Sequence, residues 1–207
     1  MMAHSTAKLV VVEGPENTGK SSLAAELASA LVRVGISARC LSFPGREPRS
    51  LGALIYRVEH EADVVGVGKL TPSARQALHL AAHLDGIEQH FLPLLNAGTW
   101  VVLDRFWWSM WAHGTASGVP RHLLDRLVAI ELEQWGPHQP ALILSTNRPV
   151  PFTDPATPHW HAVRRAYELL VQEYGPKQAI AVMPPEADCA TRVQLALARL
   201  LPSNGPA

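Results

Sequence analysis

The stretch Lys8–Leu31, "KLVVVEGPENTGKSSLAAELASAL", decides the fold. Leu9–Glu13 is short and β-branched and ends at Gly14, which predicts a buried strand. Ser21–Val34 predicts a helix, with Leu23, Leu27, Ala30, Leu31 and Val34 on one face and Gly35 as its stop. Between them Gly14–Ser21, "GPENTGKS", fits G-x-x-x-x-G-K-[ST], a phosphate-binding loop. A polyphosphate carries several negative charges, and loop N–H groups and the N-terminus of the following helix answer them. Gly14 and Gly19 permit the sharp turn and close approach. Lys20 reaches the β- and γ-phosphates, and Ser21 offers a hydroxyl to Mg²⁺. Asn17, Thr18 and Ser22 complete the expected nucleotide-binding set. A strand before the pattern and a helix after it separate this reading from a chance match in a capping turn.

Outward from this unit, strands and helices alternate. Ser37–Phe43 reads as a second strand, followed by the turn "PGREPRS" and a helix over Leu51–His60. Pro72, capped by Thr71, opens a long helix to about Ala97. Gly98–Asp104 is a strand, and Pro120 opens a helix to about Gln134. Pro140–Thr146 is a strand, "NRPVPFTDPATP" is irregular and proline-rich, and His159–Tyr174 is helical. Gln178–Met183 is a strand, Ala187–Leu201 a final helix, and "PSNGPA" a frayed tail. This alternation implies a three-layer α/β/α architecture of the P-loop NTPase type, with a five-stranded parallel sheet. Ligands of such sheets bind beyond the carboxyl ends of the strands. Gly14, Phe43, Asp104 and Ser145 therefore belong to one rim.

Composition excludes some classes. Formal net charge is zero over 207 residues, which gives no basis for a phosphate-tracking nucleic-acid binder or a membrane-surface protein. No apolar run reaches about 18 residues, so no bilayer span is expected. "MMAHSTAK" is too short and polar for a signal peptide. Cys40 and Cys189 are far apart, without metal-type spacing, and suit thiols in a reducing compartment. A cytoplasmic location is expected.

"WVVLDRF" carries the second chemical signal. An acid ending an apolar strand beside a phosphate loop can hold the Mg²⁺ of a bound nucleotide, directly or through water. Asp104 is that acid, and Arg105 faces the same rim.

Together these segments resemble the thymidylate kinase family of nucleoside monophosphate kinases over nearly the whole chain. Glu13–Ser22 is similar to the family's E-G-x-D-x-x-G-K-[ST]-[ST] start, with Glu16 at its acid position. "SFPGREPRSLGALI" resembles its F-P-x-R or R-E-P-G-G segment and L-G-x-x-I. "ALHLAAHLDGIEQHFLPLLNAGTWVVLDRFWWSMWAHG" resembles the long helix, strand and D-R-Y-x-x-S-x-x-A-Y segment. "WHAVRRAYELLVQEYG" resembles the V-R-x-x-Y-x-x-L helix after the lid.

The resemblance implies a single kinase domain over residues 1–207, with a lid at about 147–158. It implies ATP- and Mg²⁺-dependent phosphate transfer to a nucleoside monophosphate, with dTMP as the leading acceptor. Arg46 and Arg105 match arginines that hold the acceptor's phosphate. Glu16 matches an acid contacting the acceptor sugar. Phe43 lines the acceptor cleft, and Ser109 lies near the base. A homodimer is implied as well.

Several positions depart from the pattern. The family's base-proximal arginine in the long helix is His83 or Leu84 here, and the stacking phenylalanine one turn earlier is His79 or Leu80. Met110 replaces a polar residue, and His113 an aromatic one. Trp107, Trp108 and Trp111 are candidates to stack on a flat substrate, although at least two of them suit the core. Asn17 stands where some members place a catalytic arginine in the loop. Arg148 in the lid, or Arg164 or Arg165 beyond it, is left to cover the transferring phosphate. His79 and His83 have the i,i+4 spacing of zinc ligands but lack an H-E-x-x-H pattern, and satisfied histidines fit better. Two rival readings remain: a kinase for a different or modified nucleotide or other phosphorylated acceptor, and a non-catalytic nucleotide-binding switch.

Overall fold

A computed structural model describes residues 7–45, 49–147 and 157–201. Its strands are β1 (Leu9–Glu13), β2 (Ala38–Ser42), β3 (Trp100–Asp104), β4 (Pro140–Ser145) and β5 (Ile180–Val182). They form one parallel sheet in the order β2-β3-β1-β4-β5. The helices are α1 (Lys20–Arg33), α2 (Leu51–His60), α3 (Ala62–Val65), α4 (Pro72–Gly86), α5 (Leu92–Asn96), α6 (Trp107–Ala116), α7 (Arg121–Trp135), α8 (Thr157–Tyr174) and α9 (Cys189–Leu200).

The side-chain alternation of β1 creates the three layers. Leu9 and Val11 join one core with Val101, Leu103 and residues of α4 to α8. Val10 and Val12 join the other, with Val102, α1 and α9. Both faces of a central parallel strand are covered, so its sequence is apolar throughout rather than alternating.

Register aligns the carboxyl ends. Val12 pairs with Asp104, Ser42 with Asp104, and Glu13 with Ser145. The expected rim is therefore real: the segments following β1, β2, β3 and β4 emerge side by side.

The expected helix from Pro72 to Ala97 is interrupted. After α4, Ile87–Phe91 forms a π-helical turn before α5. Pro93 lacks an N–H, and its ring crowds the carbonyl four residues earlier, so an ideal ladder does not run through it. At the other end the expected cap holds: the Ala74 N–H donates to Thr71 Oγ1 at 3.3 Å, with Pro72 in the first turn. Thr71→Ala is expected to cost about 1 kcal/mol, read as a lower urea midpoint with unchanged slope.

Helix α6 was hidden in the sequence because it has no polar face. Trp107, Trp108, Ser109, Met110, Trp111, Ala112 and Gly114 are all buried. A helix covered on every side shows no apolar stripe. The tryptophans are 0–4% exposed and belong to the core, so the reading in which one stacks on a substrate is not realised here.

Candidate functional site

The loop Gly14–Gly19 joins β1 to α1 and passes close beneath the end of β4. A Cβ on Gly14 would lie 2.2 Å from the Thr146 carbonyl oxygen, and φ there is +145°. Only glycine fits that approach. Thr18 fastens the turn: its hydroxyl donates to the Pro15 carbonyl at 2.9 Å and lies 2.7 Å from Thr146 Oγ1. Lys20 is the first residue of α1 and is 6% exposed. Its Nζ donates to the Pro15 carbonyl at 2.6 Å. Burial, reinforced by the positive charge of Arg105, pushes the Lys20 ammonium down to about 8.

Ser21 and Asp104 meet as expected. Ser21 Oγ donates to Asp104 Oδ2 at 2.5 Å. The other carboxylate oxygen, Oδ1, is buried and has no hydrogen-bond partner among the described residues. A buried carboxylate oxygen without a donor, beside a hydroxyl, fits a hard divalent cation such as Mg²⁺.

Next to this pair opens a cleft of about 600 Å³, lined in part by Glu16, Phe43, His83, Arg105, Ser109 and His113. Glu16 is its electrostatic centre. Its carboxylate lies 3.0 Å from His113 Nε2 and 3.4 Å from Arg105 Nη2. Burial alone would raise the Glu16 carboxyl. The hydrogen bond and charge of His113, with the charge of Arg105, overcome that and hold it well below the usual carboxylate range. From α8, Trp160 Nε1 donates to the Glu16 carbonyl at 3.1 Å. Arg105 has φ +80°, a left-handed conformation costing a non-glycine residue about 1–3 kcal/mol and typical of functional sites.

Under Arg105 lies a group the sequence reading gave no role. Glu13 is 0% exposed. Its Oε1 accepts from the Phe106 N–H at 2.6 Å and the Ser109 N–H at 3.0 Å. Its Oε2 accepts from Ser109 Oγ and Tyr167 Oη, each at 2.8 Å. Arg105 Nη1 in turn donates to Ser109 Oγ at 3.2 Å. Burial pushes the Glu13 carboxyl up to about 7, against the hydrogen bond from Ser109 and the charge of Arg105. One signal was available: an acid ending an otherwise apolar buried strand must be hydrogen-bonded or neutral.

At the far end of the cleft, His83 stacks on Phe43 with ring centroids 3.8 Å apart, and its Nδ1 lies 2.6 Å from buried Glu131 Oε2. His79 Nε2 contacts Glu59 Oε1 at 2.9 Å. The two histidines serve different carboxylates. Among the described residues no three His, Cys, Asp or Glu side chains cluster as a metal site.

Arg46, Arg148 and most of the lid at 147–158 lie outside the described residues. Arg164 pairs with Glu168 along α8 at 3.0 Å, and Arg165 is exposed. Arg192 on α9 was missed. It donates to the Thr18 carbonyl at 2.9 Å and the Pro185 carbonyl at 2.8 Å. With Asn17, Gly19, Ser22 and Cys189 it borders a second cavity of about 330 Å³ beside the loop. Sequence position does not signal a contact spanning 174 residues.

Comparison with known proteins points to one family. The thymidylate kinase family model matches residues 12–147. Thymidylate kinase from Bradyrhizobium sp. (strain ORS 278) is 34% identical over 144 residues, covering 69% of this chain and 60% of that protein. Thymidylate kinase from Colwellia psychrerythraea is 32% identical over 136 residues, covering 64% of this chain and 61% of that protein. The chain thus spans about three-fifths of the length of these curated relatives. The crystal structure of thymidylate kinase from Ehrlichia chaffeensis superposes with a TM-score of 0.75, covering 94% of this chain and 98% of that one at 15% identity, a likeness of fold. The match over 12–147 takes in the phosphate loop, the Glu16–Arg105–His113 cluster and the Ser21–Asp104 pair, and by it the chain belongs to the thymidylate kinase family.

Proposed function

We propose that the chain transfers the terminal phosphoryl group of ATP to a nucleoside monophosphate, with dTMP as the leading acceptor. The observation that carries this reading is the adjacency of two differently built sites. The phosphate loop with Lys20 lies at one side of Ser21 and Asp104, and the cleft holding Glu16, Arg105 and His113 lies at the other.

Phosphoryl transfer leaves a protein little covalent work; it requires alignment and charge. Lys20 leaves the Pro15 carbonyl to meet the donor's β- and γ-phosphates. Arg105 holds the acceptor's phosphate, and Arg46 is assigned the same task from the family pattern. Glu16 fixes Arg105 and His113 and faces the acceptor's sugar. Asn17, Thr18, Gly19 and Ser22 border the donor side, where the 330 Å³ cavity accommodates the rest of the nucleotide. Ser21 and Asp104 hold Mg²⁺, which when bound offsets the charge of the approaching phosphates. Arg148 is assigned to the lid over the transferring group. We read residues 1–207 as one kinase unit, cytoplasmic and dimeric by family resemblance.

A second acceptor is favoured by one observation. His83, one of the two residues that can stand at the family's base-proximal arginine, is engaged by Glu131 and Phe43. A modified or different base therefore stays in contention.

Incubation with ATP, Mg²⁺ and a panel of nucleoside monophosphates, with ADP release as readout, tests the reading. Turnover with dTMP above all others is expected. Turnover with another monophosphate alone selects the second acceptor. Tight ATP binding without turnover on any acceptor selects the nucleotide-binding switch instead.

A further inference from the structure

Besides Asp104 Oδ1, the cleft wall holds a second buried polar oxygen without a hydrogen-bond partner among the described residues, that of the Gln76 carboxamide. Gln76, on α4, is 2% exposed and lines the cleft. Its Oε1 is buried without a hydrogen-bond partner among the described residues. A buried amide left unsatisfied costs stability, because it has lost water and gained nothing. Such a group in a cavity wall is explained when a ligand supplies the missing partner.

The neighbouring polar groups are committed. His83 is held by Glu131 at 2.6 Å. Glu59 is shared by His79 at 2.9 Å and Arg75 at 3.5 Å. Met110, also on the wall, brings no donor or strong acceptor. Gln76 itself is well fixed: a Cβ on Gly114 would lie only 3.2 Å from Gln76 Cγ. Helix α6 thus presses against the stem of the side chain through a residue that has none of its own.

We propose that Gln76 reads the base of the acceptor nucleotide, pairing its carboxamide with the imide edge of a thymine-type pyrimidine. This rests on the nucleoside monophosphate kinase reading above. Oε1 accepts the ring N3–H, and the amide N–H donates to the adjacent carbonyl oxygen. A carboxamide carries a donor and an acceptor side by side, as that edge does, so both groups are satisfied together. The base is then selected from α4 by a neutral amide rather than by a cation.

Gln76→Glu keeps the shape but leaves only acceptors, which suit the exocyclic amine of cytosine better than the carbonyl of thymine. The experiment measures kcat/KM for dTMP and dCMP with wild type, Gln76→Glu and Gln76→Leu. The dTMP-to-dCMP ratio is independent of the fraction of folded enzyme. It is expected to fall by about tenfold or more in Gln76→Glu. Gln76→Leu is expected to raise the KM for dTMP by a similar factor while leaving the KM for ATP unchanged. An active wild type whose ratio and dTMP KM are unmoved by both substitutions overturns the role of Gln76 alone. A wild type that neither binds nor phosphorylates any nucleoside monophosphate overturns the kinase reading, and this inference with it.

Discussion

Lys20→Ala is expected to lower phosphoryl transfer by about a thousandfold while the protein stays folded. The loss follows from position. Lys20 opens α1 directly behind the loop, which is the proposed seat of the donor phosphates. One preorganised donor to developing charge is typically worth about 10²–10³ in rate. The fold survives because the side chain adds little to the core. Among the described residues its Nζ donates only to the Pro15 carbonyl, and its depressed pKa means that the buried charge is disfavoured. Protein stability should therefore rise, not fall, between about pH 8 and its ordinary 10.5, where the folded form has released a proton that the unfolded form still holds. Nucleotide binding follows the opposite trend. Phosphate needs the protonated amine, so affinity for a non-hydrolysable ATP analogue is flat below about pH 8 and declines above it. The variant should show weaker binding without that decline. Full activity in Lys20→Ala, or an identical pH profile of binding, contradicts the assignment of the loop.

The parts legible in the sequence were those where local chemistry dictates local structure. The loop was readable because G-x-x-x-x-G-K-S requires glycines where β1 turns beneath Thr146. Asp104 was readable because an acid that ends an apolar strand has to lie at the rim. The cap at Thr71 followed from a hydroxyl before proline. What stayed hidden depends on long-range pairing. Glu13 meets Ser109 and Tyr167 across 96 and 154 residues, and no periodicity encodes that. At least two of the α6 tryptophans were expected in the core, but which of them could not be read from the pattern; the fold buries all three. Gln76 resembled any polar residue on a helix surface, and only the packing of α6 over its stem reveals it as buried. His113 was placed by its motif, but its contact with the Glu16 carboxylate required the two elements to converge.

Glu13→Leu should be the most destabilising of the single changes considered, by about 4 kcal/mol, because it strips partners from several buried donors together. The N–H groups of Phe106 and Ser109 and the hydroxyls of Ser109 and Tyr167 all point at this carboxyl. Gln at this position behaves differently. Its carbonyl accepts from both N–H groups, and its amide donates to the hydroxyl oxygens, so Glu13→Gln should stay close to wild type in fold. The pair also isolates a pH effect. With its pKa raised to about 7 from the ordinary 4.5, Glu13 holds a proton in the folded protein that the unfolded chain releases over that interval. Its contribution to stability is thus complete below about pH 4.5 and is lost as pH climbs to about 7, by up to about 3 kcal/mol. Glu13→Gln lacks a titrating group there and should gain on wild type across this window, which urea unfolding at pH 5 and pH 7.5 measures directly. A constant difference between the two proteins would mean that the carboxyl is ionised throughout. The consequence for function runs through Ser109, whose hydroxyl receives Arg105: if Glu13 sets that arrangement, and Arg105 and Lys20 have the acceptor and donor roles proposed for them, Glu13→Gln should raise the KM for the acceptor more than the KM for ATP.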